Sequence, residues 1–103
     1  MKIIEVYNSK MAKMLGYSIT LYPFVLYDRI PTQETRRHES IHINQIRSDG
    51  VFKFYCVYLI NYLSFRLKGK THMESYLSIP YEKEAYTQQK DTTINPDTIF
   101  YGK

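Results

Sequence analysis

With 103 residues the chain has room for one small domain and too little for a second core of ordinary size. Hydrophobic residues at 44% and charged residues at 23% exclude a disordered chain, and the single cysteine, Cys56, excludes an internal disulfide framework. The net charge of +4 is scattered, with Arg36-Arg37 the nearest thing to a patch, and no basic-aromatic module motif accompanies it. These charges read as solvated surface, and no nucleic-acid partner is expected.

Eleven Tyr and five Phe, with no Trp, imply a core built largely from tyrosine rings. Met1 to Tyr7 fits either a short strand or the lead-in to a helix. It shows no signal peptide, and with one cysteine a cytoplasmic location is expected. Asn8 or Ser9 can cap a helix over Lys10 to Leu15, with Gly16 as its stop. Ser18 to Tyr27 is rich in β-branched and aromatic residues and predicts one strand. Pro23 in its middle has no N–H for a ladder, so the strand belongs at an edge or carries a bulge.

Asp28 to Pro31 predicts a turn. Thr32 then caps a helix from about Gln33 to Ile46, which Ser48-Asp49-Gly50 ends. Val51 to Leu67 predicts a second, strongly apolar helix. Lys53, Asn61 and Arg66 interrupt it, so its longest apolar run falls far short of the roughly 20 residues a membrane span needs. A buried core helix is the expectation, with no membrane partner; an interfacial helix is the alternative. Cys56 lies in this helix, where a buried, inert thiol is expected. Thr71 to Leu77 predicts a further helical piece. Ser78 can cap the next helix, with Pro80 in its first turn and Tyr81 to about Lys90 following. Asn95-Pro96-Asp97 breaks any continuation, leaving the tail to Lys103 as loop or a short strand.

Chemistry concentrates in His38-Glu39-Ser40-Ile41-His42. Four residues are just over one helical turn, so the two imidazoles project from one face and can share a cation. Zinc suits neutral imidazole nitrogens, and Glu39 stands where it can take a proton from a metal-activated water. A catalytic zinc usually keeps three protein ligands and a water. Ser48, not histidine, stands six residues after His42, so the metzincin pattern fails and a downstream carboxylate is needed. Glu82 and Glu84 lie about 200° apart on a helix and cannot share a face. Ile79, Ala85, Tyr86 and Gln89 surround Glu82, an inward set. Thr87, Gln88 and Asp91 surround Glu84, which reads as solvated. Glu82 is therefore the expected third ligand. Gln45, one turn beyond His42, either hydrogen-bonds into the site or covers the helix end.

The order of these segments resembles the gluzincin clan of metallopeptidases. A strand with Tyr22-Pro23-Phe24 leads to His38-Glu39-x-x-His42-x-x-Gln45. An aromatic helix and Ile79-Pro80-Tyr81-Glu82-x-Glu84-Ala85-Tyr86 follow. The likeness runs from about Ile19 to Gln89, and in size it is closest to the short, single-domain minigluzincins. The resemblance implies one mainly helical α+β, zincin-like domain over 1–103. It would have an active-site helix, a second glutamate-bearing helix and a small sheet with an edge strand. It further implies Zn2+ on His38, His42 and Glu82, with Glu39 as general base in hydrolysis of a peptide or protein substrate. The edge strand, Leu21, Tyr22, Pro23, Phe24 and Val25, would pair with that substrate. Where the clan has an aspartate that orients a zinc-bound histidine, this chain has Tyr86, which leaves Asp28 or a backbone carbonyl for that role. His72 and Tyr76 are candidates for steadying an oxyanion, although His72 also reads as a surface residue before a helix. A zinc that only braces the core, or serves an interaction module, is the competing expectation.

Overall fold

A computed structural model describes residues 2–102. Its elements run β1 (Ile4–Val6), α1 (Lys10–Leu15), β2 (Ile19–Leu21), β3 (Phe24–Leu26), α2 (Gln33–Asp49), α3 (Val51–Leu67), α4 (His72–Ser78), α5 (Pro80–Gln88) and α6 (Pro96–Tyr101). The result is a mainly helical α+β domain.

Local signals set most boundaries. The Ser9 hydroxyl caps α1 by accepting from the Ala12 N–H, and Gly16 closes it in the left-handed conformation that glycine adopts freely. Thr32 caps α2 through the Thr35 N–H, and Thr71 caps α4 with a full capping box to Glu74. Between α2 and α3 the chain turns on a single residue. Gly50, at φ 94° and ψ 150°, ends one helix and begins the next.

The segment expected as one strand is a hairpin. Pro23 offers no N–H to carry a ladder onward, so the chain reverses at Tyr22-Pro23, whose peptide bond is cis. β2 pairs antiparallel with β3 (Thr20 opposite Val25), and β1 pairs parallel on the other side (Glu5 opposite Val25). The sheet order is β1-β3-β2. Phe24 and Val25 therefore belong to the central strand, and the edge next to the helices is β2. Val25 is fully buried in a cluster with Ile3, Tyr27, Ile43 and Phe100.

Three further expectations are corrected. The tail is not loop or strand: Asn95 accepts from the Asp97 N–H and Pro96 opens α6, so the dipeptide that breaks one helix starts another. Arg36 and Arg37 are not solvated surface but buried. Arg36 pairs with Glu5 on β1 and Asp97 on α6, while Arg37 donates to the carbonyls of Gln89 and Ile94. Finally, α3 is no core helix. Among its residues only Phe54 is buried, and Cys56 is half-buried. One side of α3 meets α2 and α4, and the other is open.

Candidate metal centre

α2 crosses the middle of the molecule, and His38, Glu39 and His42 are all buried on it. α5 packs against α2 and brings Glu82, also buried, to the same point. The small, fully buried Ala85 permits this close approach, and Pro80 opens the helix that carries Glu82. His38 Nε2 lies 3.0 Å from Glu82 Oε1, and His42 Nε2 lies 3.1 Å from Glu82 Oε2. One ligand atom from each of the three side chains falls within 4.8 Å of the other two.

The far nitrogens explain why the near ones are available. His38 Nδ1 is 2.6 Å from Gln89 Oε1, and His42 Nδ1 is 2.8 Å from Gln45 Oε1. An amide oxygen only accepts, so each imidazole carries its proton on Nδ1 and keeps Nε2 for the centre. The amide orientations are themselves fixed. Gln89 Nε2 donates to Glu34, and Gln45 Nε2 donates to Glu84 and to the Tyr81 carbonyl. Each histidine thus stands at the end of a carboxylate–amide–imidazole relay. Two Nε2 lone pairs and a carboxylate meeting at about 3 Å repel unless a cation, metal or proton, sits among them. Zn2+ fits this donor set. Without metal, burial alone would lower the His42 pKa, but the Glu82 hydrogen bond and charge outweigh it and raise it to about 9. Burial would raise Glu82, yet hydrogen bonds from His38, His42 and Tyr58 hold its carboxyl well below the usual range.

Around this core the Tyr58 hydroxyl donates to Glu82 Oε2 at 2.7 Å, and the Thr20 hydroxyl of β2 donates to Glu39 Oε2 at 2.7 Å. The Tyr86 ring stands edge-on to His38, 4.4 Å between centroids. Two cavities, of about 390 and 420 Å³, share Tyr17, Ser18, Glu39 and Tyr76 in their walls, so Glu39 sits where they meet. The smaller reaches His38 and the larger reaches His42 and Glu82.

Of the residues singled out from sequence, His38, Glu39, His42 and Glu82 come together here. Glu84 is exposed as expected, though it anchors Gln45. Asp28 accepts from Ser18 and pairs with Arg29, so it orients no histidine. Gln89 and Gln45 do that instead. Gln45 was one of two open alternatives, and Gln89 was missed. Of the segment Leu21 to Val25, Leu21 lines the larger of these two cavities, next to Tyr17, Ser18, Ile19 and Thr20. Moreover, the free edge of β2 is partly covered. The Tyr55 hydroxyl accepts from the Tyr22 N–H and donates to the Thr20 carbonyl, both at 2.9 Å. His72 is exposed and opens α4, and with Tyr76 it lines the larger cavity. No protein-family model, curated protein or solved structure matches this chain.

Proposed function

We propose that the chain is a zinc-dependent peptidase of minimal zincin-like form, with His38, His42 and Glu82 as ligands and Glu39 as general base. The observation that carries this reading is the convergence of both Nε2 atoms on the Glu82 carboxylate, with both Nδ1 protons already committed. Zinc bound there supplies a Lewis acid that polarises a peptide carbonyl and makes water acidic. Glu39 takes the proton of the attacking water and delivers it to the departing amine. The Thr20 hydrogen bond fixes its carboxylate for that exchange. Tyr76, like Glu39, lines both cavities, and burial, reinforced by the Glu82 charge, keeps its phenol protonated. It is thus a donor to a developing oxyanion. An extended substrate would run across the two cavities.

The burial of all three ligands also favours a second reading, a zinc that merely braces α2 against α5. Zinc content and peptide cleavage separate the two. The parent should hold one zinc per chain and His42→Ala almost none. Glu39→Gln should keep the metal and lose cleavage by about 10²–10⁴-fold. A zinc-loaded parent that cleaves no member of a peptide library would leave the bracing role, and a chain that takes up no zinc would end both readings.

A further inference from the structure

The open side of α3 is an apolar stripe. Phe52, Leu59, Ile60, Leu63 and Leu67 fall within an arc of about 100° at helical spacing and span about 22 Å along the axis. They are exposed, Phe52 at 83%, Ile60 at 66% and Leu67 at 88%. So long and continuous an apolar face on a small domain marks an interaction surface. The residues bounding the arc are Lys53 on one side and Arg66 on the other, while Lys68 and Lys70 lie over the Phe65 ring, away from the stripe. From Val51 to Lys70 there is no Asp or Glu.

This charge pattern selects the occupant. Packing two copies of the stripe together would ring one seam with the cations of both copies, Lys53 and Arg66, with no carboxylate of α3 to relieve them. An anionic lipid surface complements both features, taking the apolar stripe into the acyl boundary while the flanking cations reach phosphate. No helix among the described residues is long and apolar enough to cross a membrane, so the helix would lie along the surface. We infer that α3 docks this domain on anionic membrane surfaces. The expectation of no membrane partner assumed a buried α3, and α3 is not buried. Leu59 belongs both to the stripe and to the wall of the larger cavity, so that cavity adjoins the docked face.

The test needs neither zinc nor activity. The full chain is sedimented with phosphatidylcholine vesicles, with and without phosphatidylglycerol. It should partition onto the anionic vesicles, and Ile60→Glu/Leu67→Glu should weaken this by about tenfold or more. Lys53→Gln and Arg66→Gln should each weaken it about fivefold. The chain has no tryptophan, so Phe52→Trp reports the stripe alone while leaving it apolar. Its emission should shift to the blue on anionic vesicles. Absence of both partitioning and the shift overturns the inference. So does self-association that Ile60→Glu abolishes in a chain that ignores vesicles, since a second copy would then be the occupant.

Discussion

Two glutamines decide which nitrogen each histidine offers. Removing the Gln89 or Gln45 amide lets the ring turn and lets its proton move to Nε2, which closes that ligand. Gln89→Ala and Gln45→Ala are each expected to weaken zinc binding by about 10–100-fold, measured by competition with a chromophoric chelator. Glu34→Ala and Glu84→Ala act one step further out, on exposed carboxylates, and should cost less. The four residues at the centre were legible because their chemistry is written locally. A His-Glu-x-x-His spacing makes one helical face, and Glu82 is told from Glu84 by its neighbours. Gln89 was not legible as a partner of His38, because they stand 51 positions apart and meet only through the packing of α5 on α2.

At the scale of elements, caps carried most of the information. Ser9 and Thr32 each cap the helix expected from them, whereas Thr71, expected inside α4, caps it. Ser78, expected as the cap of α5, lies within α4 and leaves Ile79 at that position with no side-chain bond. Position 50 shows how strict such a signal can be. Its φ of 94° with ψ near 150° is open essentially to glycine, and nothing lies within 4 Å of where a Cβ would sit. Gly50→Ala should therefore destabilise by about 1–3 kcal/mol through backbone conformation alone, seen as a lower urea midpoint with an unchanged slope. The hairpin and α6 were misjudged for a shared reason. Proline was read as an interruption, whereas it turns the chain at Pro23 and opens a helix at Pro96. The exposure of α3 was illegible because a helix apolar on every side carries no mark of which side its neighbours will cover.

For the molecule as a whole, the centre joins α2 to α5, so a metal or proton held there would be coupled to folding. The His42 pKa is raised from 6.5 to about 9 without metal. Stability drawn from that proton is therefore present below pH 6.5 and lost as pH rises to about 9. The melting temperature of the chelator-treated chain should fall across that window, while the zinc-loaded chain stays nearly level. At a free zinc concentration about 100 times its Kd, binding should add about 2.7 kcal/mol, a rise of roughly 10–20 °C for a domain of this size. On the opposite flank, Arg36 ties β1 and α6 to α2 through Glu5 and Asp97. Arg36→Ala leaves the Glu5 carboxylate buried without its ion pair, at a cost of about 3–5 kcal/mol, a large share of a small domain's stability, seen as a lower urea midpoint.

The Tyr55 hydroxyl on the rim of β2 has a consequence for solubility. A bare strand edge is a template on which a second chain can add and begin an aggregate. One phenol oxygen meets the Thr20 carbonyl and the Tyr22 N–H, so α3 stoppers part of that edge. A chain with Tyr55→Phe would keep its fold yet recruit extended polypeptide indiscriminately, its own unfolded copies included.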